Sequence, residues 1–406
     1  MNIFTRIGNW LCDSALVMAH EFRSIWHDGG ALLFFFALPL FYPIIYTLIY
    51  NPEVVREIPV AVVDDSRTAD SRHLVEMASA SPAIKIYDYC ADMGEAKHLM
   101  ASGDVFGVMY IPRRYAVDLA TGSKADVEFY CDMSLLLRYR TLMAALTDLQ
   151  IQLAGEIGEA HVSDAGLGSF VTGESILPIE SHSNFLGDVE QGFASFVIPG
   201  IVVLILQQSM LLGIALLGGS ERERRRRNGG LDPRGIDGVG AAATVWGKAM
   251  CYVSIYLAST IYCLHFVPEF FNLPHSGSPA DYLLFMFPEL LAAAFLGQAL
   301  LVVMRERESC FMIMVISSVL FLFLSGLTWP RYAMPDFWLW LGDIVPSTWA
   351  VEGFVQINSN NATLAEVSRP YSMLWILAAV YMVVAIIVTR YLTQGRSGRP
   401  SLYGRN

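Results

Sequence analysis

The chain has 406 residues, of which 54% are hydrophobic and 16% charged, and its formal net charge is −11. Its apolar residues gather in runs of about twenty, the length a helix needs to cross ~30 Å of hydrocarbon, which excludes an ordinary soluble globular protein. The acidic balance argues against a nucleic-acid partner, and an Arg run at 224–227 that flanks an apolar stretch is read as an orientation signal or a headgroup contact.

Residues 1–30 open with Ile3, Ile7, Trp10, Leu11, Met18, Phe22, Ile25 and Trp26 at spacings of three, four and seven, with Arg6, Asp13, Glu21 and Arg23 between them. That pattern predicts an amphipathic helix, lying on the cytoplasmic face of a membrane or packed on a soluble partner. Six membrane spans follow, at 31–50, 193–217, 249–267, 282–304, 310–328 and 371–389. No cleavable signal is expected, because the first apolar run begins some thirty residues in and no small-residue cleavage site follows it.

Between the first two spans, residues 51–190 carry ten Lys and Arg against 22 Asp and Glu, a net of −12. Short β-rich runs at 58–63, 84–89, 105–111 and 126–131 alternate with helical stretches at 70–80, 93–102, 113–121 and 135–159, which predicts an α/β domain with a small sheet. Residues 161–190 read as loop. Cys90 and Cys131 lie near the ends of two of these strands, where an oxidising compartment would permit a disulfide if the geometry allowed one.

Polar residues inside the spans are the candidate lining of a transport path. Gln207 and Gln208 sit deep in the second span, where amides otherwise serve as interhelical hydrogen bonds. Glu289, beside Pro288 in the fourth span, is costly in hydrocarbon and invites a functional reading, unless it only reaches headgroups or a backbone donor freed by the kink. An intramembrane enzyme would need Glu289 and His265 to meet. No metal-ligand spacing and no catalytic set is present, so no catalytic residue and no metal are expected.

The loop at 218–248 opens with Glu221, Arg222, Glu223 and Arg224, alternating charges that suit a polar contact with a soluble partner. A P-loop needs four residues between its glycines and a hydroxyl after the lysine. Here six residues separate Gly240 from Gly247, and Ala249 follows Lys248, so no ATP site of the chain's own is expected. Between the fifth and sixth spans, residues 326–350 are rich in Trp, Pro and Gly, which predicts an interfacial belt with a broken or re-entrant helix. With 51–190 set aside as a translocated domain, 15 of the remaining 17 cations fall where both termini, including the 393–406 tail, would be cytoplasmic; the exceptions are Arg331 and Arg369.

The succession Phe196-Val197-Ile198-Pro199-Gly200, Glu221 to Arg224, Gly247-Lys248, Ser325-Gly326, Pro330, Met334-Pro335, Trp340 and Ile344-Val345-Pro346 resembles the permease subunits of type-2 ABC exporters, in the branch with a large extracytoplasmic insert after the first span. The resemblance implies an α-helical membrane protein of six transmembrane helices with an extracytoplasmic α/β domain inserted between the first two, in a bacterial inner membrane. It also implies a second permease copy or homologous permease, membrane lipid and a periplasmic adaptor as partners. ATP and magnesium would be bound by a separate nucleotide-binding ATPase subunit, with Glu221 to Arg224 matching the coupling element and residues 1–27 the interface helix. The rival reading is a membrane sensor or envelope assembly factor that binds through the exported domain.

Overall fold

The computed structural model describes residues 3–50, 55–164, 193–228, 239–273, 275, 277–304 and 307–394. The chain forms two compact units, Val54–Asn184 and the remainder.

The larger unit is a helical bundle. Its first helix, α1 (Ile3–Trp26), buries Ser14, Val17, Glu21 and Ile25 on one face and exposes Ile7, Leu11, Phe22 and Trp26 on another. Asp28 then caps α2 (Gly29–Tyr50) by accepting from the amides of Gly30 and Ala31 at 3.0 and 3.2 Å. The unit continues with α7 (Phe193–Arg227), α8 (Ala241–Phe270), α9 (Pro279–Leu300), α10 (Arg307–Leu324), α11 (Asp336–Asp343), α12 (Pro346–Asn360) and α13 (Ser368–Gln394).

Five of these, α2, α7, α8, α9 and α13, are long and apolar enough to cross a membrane. The fifth predicted span corresponds to α10, whose described apolar stretch, Val315–Leu324, falls short of that length. It also ends four residues earlier than the apolar run suggests. Ser325 Oγ accepts from the Leu327 amide, and Gly326 adopts a left-handed φ of +86°, which terminates the helix.

Small residues set how closely these helices approach. A Cβ on Gly213 of α7 would lie 2.4 Å from the Phe35 ring of α2, and one on Gly297 of α9 would lie 2.9 Å from Ile214 of α7. The helices α7 and α9 are the most enclosed, whereas α2 and α13 expose long apolar faces. Contacts also fix the direction of α12. Gln207 meets Ser347 near its start, Gly200 meets Val351 further along, and Tyr282 bonds Asn358 near its end. The 15-residue α12, about 22 Å long, therefore runs antiparallel to α7 and α9 and starts deep within the bundle. The broken element predicted at 326–350 is thus a surface stretch followed by a half-length helix that continues ten residues further.

The smaller unit comprises β1 (Ile58–Asp64), α3 (Ala69–Ala80), β2 (Ile84–Tyr89), α4 (Met93–Ser102), β3 (Gly107–Ile111), α5 (Tyr115–Ala120), β4 (Glu128–Cys131) and α6 (Leu136–Asp164). The alternation read from sequence is reproduced to within two residues at each boundary except the end of α6, which runs five residues further. The sheet order is β2-β1-β3-β4, with β1 parallel to both neighbours and β4 antiparallel at the edge. Side chains of β1 alternate between two cores, Val60 and Val62 packing with Leu74 and Leu142, and Ala61 and Val63 with Ala96 and Val108.

This topology removes the disulfide. Cys90 follows one edge strand and Cys131 ends the other, three strand spacings apart, or about 14 Å, and bridged Cα atoms lie within about 7 Å. The two thiols also face different cores, and both are free. The predicted loop at 161–190 falls largely outside the described residues, as does most of the 393–406 tail.

Candidate functional site

The helix α7 does not stop where its apolar run stops. It continues to Arg227, so Glu221 to Arg224 stand on the last turns of a 35-residue helix and not on a loop. At about 52 Å that helix overshoots a bilayer's hydrocarbon, and its charged end projects past the apolar part. Residues i and i+4 share a helix face, which brings Glu221 to Arg225 and, separately, Glu223 to Arg227 at 2.5 Å.

The first of these pairs belongs to a half-buried knot. Lys248 of α8 reaches Glu221 at 3.0 Å and Glu21 of α1 at 3.4 Å, while Tyr252, one turn further along α8, donates its hydroxyl to Glu21 at 2.5 Å. Two carboxylates thus face one ammonium and one guanidinium. The Arg224 guanidinium stands close by, so each carboxylate of the cluster has a cation near it, as partial withdrawal from water requires. Packing reinforces the knot, because a Cβ on Gly247 would lie 2.4 Å from the Ser14 carbonyl of α1, and the Tyr252 ring stacks on Phe35 of α2 at 5.3 Å. Ser220 donates to Asp28, and Arg222 donates to the Met304 carbonyl. Of the four predicted coupling residues, then, Glu221 points inward to hold three helices together, Arg222 ties α7 to the end of α9, and Glu223 is the one that is exposed; Arg224 lines a small cleft beside the knot.

The intramembrane candidates lie deep in the bundle. Gln207 donates to Ser347 Oγ at 3.0 Å, but its own amide oxygen has no partner among the described residues. Neither amide atom of Gln208 has one, and neither does the Thr348 hydroxyl at the start of α12. Glu289 is 1% exposed, and both its carboxylate oxygens are unpartnered among the described residues. Extending the pairings of Tyr282 with Asn358 and of Phe285 with Gly353 by one turn puts Glu289 level with the first turn of α12. His265 instead approaches Glu269 at 3.5 Å, so the Glu289 and His265 pairing that an intramembrane enzyme would need is not formed.

A second ionic cluster lies at the other end of α7. Arg331 binds Glu352 at 2.8 Å and also Asp343, and its guanidinium lies 4.7 Å from the centre of the Trp349 ring. Trp349 is buried and donates from Nε1 to the Asp343 carbonyl at 2.9 Å. Arg369, in the first turn of α13, lies 5.7 Å from the same ring. The two cations that stood apart in the charge pattern of the sequence therefore converge on one indole, beside a cavity of about 650 Å³.

Sequence reasoning overlooked Glu21 and Lys248 as partners, since the first reads as one polar residue of an amphipathic helix and the second as part of a failed phosphate loop. A signal was available, because a lysine at the very edge of an apolar run calls for an anion nearby. Among the described residues no group of acids, histidines and cysteines is arranged to hold a metal. Residues 30–387 match the family model described as ABC-2 family transporter protein. No curated protein matches the chain.

Proposed function

This chain belongs to the ABC-2 family of transporter proteins, and on that premise we propose that it is the permease subunit of an exporter, forming the translocation path while a separate subunit binds ATP and magnesium and hydrolyses the nucleotide. The observation that carries the coupling is the knot of Glu21, Glu221, Lys248 and Tyr252. It joins α1, the end of α7 and the start of α8 into one block beneath the exposed Glu223, Arg226 and Arg227. A force applied at that surface would be passed to α7 as a rigid body, and α7 is packed against α9, α10 and α12.

In this reading α10 serves as a sixth span, the Val54–Asn184 unit stands outside a bacterial inner membrane, both termini are cytoplasmic, and the path opens between two permease copies. Gln207, Gln208 and Glu289 join that path only when α12 withdraws, because the present conformation buries all three. Unpartnered polar atoms in the interior favour such a change, since each regains a partner when water or cargo reaches it.

The test is ATPase stimulation in the complex with the co-expressed nucleotide-binding subunit. Glu223→Lys should abolish stimulation while leaving the permease folded and membrane-inserted. Unchanged stimulation in both Glu223→Lys and Arg227→Glu would place the coupling surface elsewhere.

A further inference from the structure

The cavity beside Trp349 has the construction of a binding site. Its floor is a buried indole, and its wall is Arg331, which pairs with both Asp343 and Glu352. The fit of that wall depends on Gly326, whose left-handed backbone and missing Cβ leave room for the Arg331 stem; a Cβ there would come within 2.9 Å of Arg331 Cγ. Arg369 also lines the cavity, yet it has no carboxylate within ion-pair distance among the described residues. A cation in the first turn of a helix also faces the positive end of that helix's dipole, an unfavourable placement that a bound anion would offset.

The surroundings indicate what carries the anion. Trp329, Tyr332, Phe337, Trp338 and Trp340 are all exposed around this segment, and such aromatic residues settle at the headgroup level of a bilayer. At about 650 Å³ the cavity falls in the range of sites for small organic molecules, roughly 300–1,000 Å³, and is far larger than an inorganic anion needs. We infer that this cavity binds the phosphate-bearing head of a phospholipid-like amphiphile, with Arg369 holding the phosphate, Trp349 forming the floor and the acyl chains lying along the exposed aromatic belt. The inference rests on membrane embedding but not on the direction of transport or on the coupling surface.

The full chain, purified in detergent and stripped of lipid, would be titrated with dioleoylphosphatidylglycerol and followed by native mass spectrometry. One tightly held lipid per chain is expected, with an apparent affinity lowered about tenfold or more in Arg369→Glu and several-fold in Arg369→Gln, the scale of one charge-assisted hydrogen bond. Arg390→Gln, at the opposite end of the same helix, should bind as the unaltered chain does. Diacylglycerol, which has the chains without the phosphate, should bind at least about tenfold more weakly. Equal binding of the two lipids, or equal binding by both Arg369 variants and the unaltered chain, would overturn the assignment. Displacement of the lipid by millimolar inorganic phosphate would overturn its amphiphile part and identify a site for free anions. ATPase stimulation is read in a separate experiment, so failure of the lipid site and failure of the proposed coupling remain distinguishable.

Discussion

The two ionic clusters at the ends of α7 have similar ingredients and different completeness. At the Arg227 end, two carboxylates meet one ammonium and one guanidinium, a tyrosine hydroxyl fills a further acceptor site, and a glycine lets the helices close around them. At the Trp349 end, both carboxylates pair with Arg331, Arg369 stands outside those ion pairs among the described residues, and the space beside it stays open. A closed cluster, with every carboxylate paired, fastens helices. An open one, whose second guanidinium makes no ion pair among the described residues, is suited to a partner from outside the chain.

That contrast can be broken by mutation. Lys248→Met should have the largest effect, because it leaves the buried Glu21 without its counter-charge and Glu221 with Arg225 in place of two cations; about 3–5 kcal/mol of destabilisation is expected, seen as a large drop in thermal stability in detergent. The triple change Glu21→Gln, Lys248→Met, Glu221→Gln should recover much of that loss, and a triple variant no better than the single one would mean the knot is not an electrostatic unit. Gly247→Val comes next, costing about 1–3 kcal/mol through overpacking against Ser14 and Val17, and raising proteolytic sensitivity within α1. At the open cluster, Arg369→Gln should shift stability by no more than about 0.5 kcal/mol, since the side chain is exposed and makes no ion pair among the described residues; a loss comparable to that of Lys248→Met would show the two clusters to be alike. Glu289→Gln, in the interior between them, should be neutral or mildly stabilising in the same melts, because it removes a carboxylate that no described group satisfies.

The smallest effect concerns the other unit. Burial, followed by the neighbouring carboxylates of Glu95, Asp88 and Asp92, pushes the Cys90 thiol above its ordinary pKa. Its thiolate is therefore scarce at neutral pH, and native-state alkylation should be slower than for free cysteine and should speed up as pH rises through the elevated value. Denatured, unreduced protein should take up alkylating reagent at both Cys90 and Cys131. A mass shift that appears only after reduction would contradict the separation of the two edge strands.

Much of the architecture was legible in the chain because its signals are local. Runs of twenty apolar residues need no tertiary context to be read as helices, and the alternation of β-rich and helical segments at 58–159 gave nearly every boundary of the small unit. Asp28, Thr68 and Asp92 cap their helices within three residues of where they stand. The candidate site was legible only in part. Glu221 to Arg224 stand out in the sequence as a charged element, but a string of alternating charges does not reveal which member turns inward. That depended on Lys248 and Glu21, 27 residues ahead in the chain and 200 behind.

What the sequence determined by itself, then, is the order and type of most helices and strands, though not the ends of α7 and α10, that the chain is a multi-pass membrane protein, and that it lacks the phosphate loop of a motor. Each of these follows from residue type and short-range spacing. Tertiary structure alone decided which charges are paired, which thiols are apart, that α12 starts inside the bundle, and that Arg331 and Arg369 share one indole. Those outcomes depend on distances between residues far apart in sequence, and a charge in low dielectric is settled by whatever counter-charge the fold brings within a few ångströms.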